Sequence, residues 1–225
     1  MKRKLVKFLS RHYAITGLVK ILFTNKYLAN NRFYKKFILK KANKYALSCL
    51  HDQKTVFIET VLNCNSRCVF CYHNKKIMLG TMTVELFEKI IDSCHANNIT
   101  NVILSVYGEP LLDKLFFQRI QYLRKYGMTY GLITNASLLD GEKTKQLFAL
   151  GGLREITFSV NGFSKDIYEK VMIGLKRDAV YKNILHFIDL KEKLNLNNIE
   201  EVRISFVKNK LNHKDYEKFS EFWKK

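Results

Sequence analysis

The chain has 225 residues, 47% of them hydrophobic and 13% aromatic, which is enough apolar material for one large domain or two small ones. That composition is at odds with disorder, collagen or coiled coil; no run of about 18 apolar residues marks a membrane-spanning helix, and five cysteines without a secretory signal argue against a disulfide scaffold. The net charge of +19 is uneven: residues 1–50 carry 13 basic side chains and no acidic one, whereas the rest of the chain carries 26 basic and 20 acidic.

The basic segment comes first. Leu5, Phe8, Leu9, Ile15, Leu18, Val19 and Leu22 recur at helical spacing, and Phe33, Tyr34, Phe37, Ile38 and Tyr45 suggest a second helix. Residues 1–50 therefore read as a basic amphipathic helical segment preceding a core over residues 51–225. Three readings stand for it: two helices docked on the core with lysines in solvent, an anionic membrane surface, or nucleic acid, with the membrane preferred over nucleic acid. Arg11 and His12 interrupt the apolar stretch after Met1–Lys4 and no small-residue cleavage site follows, so a signal peptide is rejected. The expected location is cytoplasmic, with a peripheral position at the inner membrane surface as the variant.

Beyond Leu50 strands and helices alternate. Residues 55–62 read as a strand, and Thr83 as the N-cap of a helix to about Ala96 that buries Leu86, Phe87, Ile90, Ile91 and Cys94. Strands follow at 101–107, 128–134, 155–160 and 201–207. Helices are expected at 111–126, ending at Gly127, and at 141–150, ending at Gly151 and Gly152. Others are expected at 164–173, 178–195 and 213–225. Such repetition implies parallel strands, in an open sheet or in part of a barrel. Either way ligands lie at the C-terminal ends of the strands. The last strand is expected to leave an unpaired edge.

One of those ends carries Cys64, Cys68 and Cys71, spaced C-x3-C-x2-C. Three thiolates on a short loop converge on a metal centre. A four-iron cluster held by three cysteines keeps one iron free. Zinc held by the same cysteines and His73 is the alternative, although a surface position suits His73 better. Cys94 reads as core and Cys49 as packing.

At these residues the sequence resembles the radical SAM superfamily. The resemblance runs from about Thr55 to Trp223 and rests on the cysteine motif with Phe70 before its last cysteine. It is supported by Tyr107-Gly108-Glu109-Pro110, Ile133-Thr134-Asn135, Ser159-Val160-Asn161-Gly162 and Asn209, and is greatest to members with a SPASM or twitch extension. It implies a partial (β/α)6-type parallel barrel, α/β in class, with about five of six units present. It implies a [4Fe-4S] cluster on Cys64, Cys68 and Cys71, and cleavage of S-adenosylmethionine to methionine and a 5′-deoxyadenosyl radical. That radical would take hydrogen from a peptide or sugar-type substrate. A flavodoxin- or ferredoxin-like donor would supply the electron. Phe70 would pack near the adenine, and Gly108 would admit the methionine amino group, which Glu109 would bind. Thr134 and Ser159 would reach the ribose or carboxylate, and Asn209 the adenine region. No residue is assigned to the substrate. Tyr107 stands where the family has glycine, an aspartate near Asn161 is missing, and so are the SPASM cysteines and a sixth unit. A truncated or degenerate copy that binds a cluster without turnover, and an RNA-modifying enzyme, are the alternatives.

Overall fold

The computed structural model of the chain describes residues 55–75 and 79–224, so the expectations for residues 1–50, Cys49 included, lie outside the described residues. Strand β1 (Thr55–Ile58) leads through a loop to the two-residue strand β2 (Arg67–Cys68) and the one-turn helix α1 (Tyr72–Lys75). Helix α2 (Val84–Ala96) starts where the sequence places it, because the Thr83 hydroxyl accepts from the Leu86 N–H. It buries Phe87 and Ile91. Leu86, one residue from Phe87 and so about 100° around the helix, is left exposed on the flank of that stripe.

Strand β3 (Asn101–Leu104) is buried at every residue, as expected of a strand covered on both faces. It ends three residues early, and the chain turns through Ser105 and Tyr107. A short 3-10 turn (Pro110–Leu112) precedes helix α3 (Phe116–Lys125), so the expected single helix is split. The break is Asp113, whose extended backbone and carboxylate bond to the Leu115 N–H replace a helical turn. Then come β4 (Thr129–Thr134), α4 (Gly141–Leu150), β5 (Leu153–Ser159) and α5 (Lys165–Val171). The two-residue strand β6 (Met172–Ile173), α6 (Arg177–Lys193), β7 (Glu201–Ser205) and α7 (Tyr216–Trp223) complete the order.

Five strands form one parallel sheet in the order β1-β3-β4-β5-β7. Among the described residues β1 and β7 are its edges and do not pair with each other, so the sheet of five β/α units stays open and closes no barrel. Ile58, Val102, Leu104, Tyr130, Leu132, Ile156 and Phe158 are buried on the helix-covered face, with Phe87, Ile120, Leu147 and Phe187 packed over them. The loop after β1 is stitched to residues 80–82: Met82 N–H donates to the Thr60 carbonyl and Leu62 N–H to the Gly80 carbonyl, both at 2.8 Å.

The β2–β6 pair has no counterpart in the periodicity of the sequence. It joins Arg67 to Ile173 and Cys68 to Met172 in antiparallel register. The segment after α5 is thereby fastened to the cysteine loop.

Candidate active site

The C-terminal ends of β1, β3, β4, β5 and β7 surround a cavity of about 200 Å³. Cys64, Cys68, Cys71 and Phe70 line one wall. Gly108 and Glu109 after β3, Thr134 and Asn135 at the end of β4, Ser159 and Asn161 after β5, and Ser205 after β7 line the rest. The structure thus brings together every residue singled out for cluster or cofactor except Asn209. That side chain accepts from the Leu211 N–H at 2.8 Å and shapes the turn after β7, while Val207 lines the cavity in its stead.

Gly108 is fixed by contact rather than by an open approach. A Cβ there would lie 1.9 Å from the Val61 carbonyl oxygen, so only glycine lets the post-β3 turn pass against the post-β1 loop. The Glu109 N–H then donates to the Asn63 carbonyl at 2.8 Å, next to the first cysteine. Glu59 completes the brace: its carboxylate accepts from the Tyr107 N–H at 2.5 Å and the Gly108 N–H at 3.2 Å. Glu59 escapes a motif search because its partners lie 48 and 49 residues away.

Glu109 is buried and has no counter-cation among the described residues. Its oxygens accept from Thr134 Oγ1 at 2.6 Å, the Asn135 N–H at 2.8 Å and the Leu111 N–H at 3.2 Å. A carboxylate has about four acceptor positions, so one remains for a further donor. Burial pushes its pKa from 4.5 to about 7, against the pull of those three donors. Thr134 is committed to this carboxylate, and its oxygen also accepts from the Ala136 N–H at 3.0 Å. The Ser159 hydroxyl faces the cavity with no hydrogen-bond partner among the described residues, as does that of Ser205, its register partner on β7. Ser205 was not singled out in the sequence, although it ends a strand as Ser159 does.

The cysteine loop is held from both sides. Arg67 donates to the Cys64 carbonyl at 2.9 Å, and Asn65 bonds across to Ser137 and Asn135, both at 2.9 Å. Burial raises the Cys64 thiol above its ordinary range and the Cys68 thiol to about 11, so both lose protons when they take a metal. Among the described residues no three His, Cys, Asp or Glu side chains close on a single ion. Thiolates around one tetrahedral zinc would stand about 3.8 Å apart, from Zn–S bonds of ~2.3 Å. A cluster would take its three cysteines on different irons. His73 is buried, not on the surface: its Nε2 lies 2.7 Å from the Leu62 carbonyl, and it is no part of the cavity.

Comparison with known proteins agrees with this arrangement. A family model described as the radical SAM superfamily matches residues 58–205. The tungsten-containing aldehyde ferredoxin oxidoreductase cofactor-modifying protein of Pyrococcus furiosus is 30% identical over 100 residues, 44% of this chain and 28% of that protein. The Fe-coproporphyrin III synthase of Methanosarcina barkeri is 29% identical over 148 residues, 60% of this chain and 37% of that protein. Streptococcus suis SuiB bound to S-adenosylmethionine superposes with a TM-score of 0.61 at 15% identity, covering 96% of this chain and 48% of SuiB. SuiB bound to its precursor peptide SuiA gives the same score at 16% identity, covering 96% and 49%. The chain spans about half of SuiB or less of each curated relative.

Proposed function

The chain belongs to the radical SAM superfamily, whose cofactors are a [4Fe-4S] cluster and S-adenosylmethionine, and we propose that it is a radical SAM enzyme acting on a peptide. The observation that carries this reading is the convergence on one strand-end cavity of three thiols, a buried carboxylate and hydroxyls, the last two without a cation or a hydrogen-bond partner, respectively, among the described residues. When bound, the two cofactors supply an electron, the cleavage of a carbon–sulfur bond and the abstraction of hydrogen from substrate.

In this reading Cys64, Cys68 and Cys71 would hold the cluster through three of its irons. Glu109 accepts the ammonium of S-adenosylmethionine. The incoming cation favours the carboxylate form, so binding near neutral pH releases a proton. Thr134 and the Asn135 N–H orient that carboxylate, and Gly108 and Glu59 hold the turn that carries it. Ser159 and Ser205 offer hydroxyls to the ribose or the methionine carboxylate. Phe70 supplies an apolar wall for the adenine.

A peptide is favoured over a sugar-type metabolite because the rim of the cavity is apolar. Phe70, Val106, Tyr107 and Val207 line the cavity yet are exposed at its rim, and the Tyr72 ring stands 6.4 Å from that of Tyr107. The precursor peptide bound by SuiB is a precedent in that protein. A flavodoxin- or ferredoxin-like donor fits the electron requirement. Among the described residues no helix is long and apolar enough to cross a membrane. Contact of residues 1–50 with an anionic surface is the further proposal for that segment; equal flotation on neutral and anionic vesicles would contradict it.

The reading is tested by electron paramagnetic resonance of the reduced, reconstituted protein. Addition of S-adenosylmethionine is expected to change the cluster signal, and the change is expected to vanish in Glu109→Gln. A signal indifferent to S-adenosylmethionine in the wild type would overturn it.

A further inference from the structure

Cys68 differs from the other two cysteines in its side-chain neighbours. Its sulfur lies 3.2 Å from the Ser66 hydroxyl and 3.3 Å from the thioether sulfur of Met172. Both neighbours are buried, with Ser66 3% and Met172 1% exposed. Neither position is accidental. The β2–β6 pairing puts Met172 opposite Cys68, and the Asn161 amide donates to the Met172 sulfur at 3.1 Å. Asn161 is itself clamped: its side-chain oxygen accepts from the Val207 N–H at 2.6 Å, and its carbonyl from Asn212 Nδ2 at 2.9 Å.

Ligation changes what each neighbour can do. A free thiol has one proton to donate, to either neighbour. A thiolate has none, so its hydrogen bonds must come to it. The Met172 thioether has no hydrogen to give. Apart from Cys68's own amide, Ser66 is the donor within reach. Its one proton has two acceptors, the Cys68 sulfur and the Ile173 carbonyl at 3.1 Å. A charged acceptor wins that choice.

We propose that Ser66 and Met172 are positioning residues that set the electron affinity of the cluster through Cys68, in opposite directions. The Ser66 hydroxyl stabilises the more negative, reduced cluster and raises its potential. Met172 occupies its place beside the sulfur with a soft group that has no hydrogen to donate, which lowers the potential. Asn161 fixes Met172 in that position. The proposal rests on Cys68 being a cluster ligand.

The test is a redox titration of the reconstituted protein, read by electron paramagnetic resonance beside the iron content. Ser66→Ala is expected to lower the reduced fraction at a fixed potential by about tenfold, a shift of about 59 mV for one electron. Ser66→Thr, which keeps the hydroxyl, is expected to restore it. Met172→Gln, which puts an amide donor beside Cys68, is expected to shift the midpoint the other way, and Met172→Leu to leave it near that of the wild type. An unchanged midpoint in both Ser66→Ala and Met172→Gln at full iron content would overturn the proposal. If Ser66→Ala fails to hold iron, Met172→Gln decides: a raised midpoint at full iron content supports the proposal, and an unchanged one overturns it. Undiminished iron in Cys68→Ala would instead sink the assignment of Cys68 as a ligand.

Discussion

Two buried carboxylates four residues apart, at opposite ends of the same short turn, do different work. Asp113 is neutralised: Arg119 Nε donates to it at 2.7 Å, and the guanidinium also reaches the carbonyls of Met82 and Thr83. Among the described residues Glu109 has only neutral donors. The first ties α3 to the start of α2, beside a groove of about 330 Å³ lined by Arg119, Glu88 and Tyr122. The second faces the smaller cavity of about 200 Å³ with the cysteines. Cavity size therefore does not locate the chemistry. A buried acid whose counter-cation is supplied by the fold is architecture, and one whose counter-cation is missing is a place for a ligand.

The largest expected effect is on the cluster. Cys68→Ala removes one of the three proposed ligands, and complete loss of iron–sulfur absorbance is predicted, whereas Cys94→Ala, on a packing face, should retain it. Next is the paired acid. Arg119→Met strands Asp113 in the interior and should cost about 3–5 kcal/mol in denaturant unfolding. Glu109→Gln should behave the opposite way. It is predicted to weaken S-adenosylmethionine binding by about 10- to 100-fold, the loss of one charge-assisted hydrogen bond of ~1.5–3 kcal/mol. If both variants lose stability and neither loses affinity selectively, the distinction between the two acids collapses.

pH sharpens the same contrast. The Glu109 pKa is raised on folding, so its contribution to stability is fullest below about 4.5 and is lost as pH rises to about 7. Apo-protein unfolding should show that falling slope, and Glu109→Gln should flatten it. S-adenosylmethionine affinity should rise over the same interval, because binding needs the carboxylate. The smallest effect is expected of Thr134→Val, which removes one neutral donor from Glu109 and should cost about 1 kcal/mol of binding.

What was legible in the sequence had local signatures. The cysteine spacing, the Thr83 cap and the buried strand expected at 101–107, of which Asn101–Leu104 forms, were read from runs of a few residues, and Glu109 from the resemblance of the segment that holds it. What escaped was made of pairs distant in the chain: Glu59 with the turn at Gly108, Asn65 with Asn135, Asn161 with Val207 and Asn212, and the β2–β6 bridge of two residues each. Periodicity cannot register a two-residue strand, and a brace across nearly fifty residues leaves no motif. Asn209 illustrates the converse: an asparagine after a strand end suits a ligand contact and a turn equally well, and here the turn uses its oxygen. The split of the helix at Asp113 comes from the extended backbone there and the carboxylate's bond to the Leu115 N–H, which a helical pattern of residue types does not reveal.

The most direct measurement is anaerobic reconstitution with iron and sulfide, then reduction with S-adenosylmethionine and chromatographic assay for 5′-deoxyadenosine. The account predicts about four irons per chain and product formation that Cys68→Ala abolishes. Bound zinc in place of iron, or product that persists in Cys68→Ala, would contradict it.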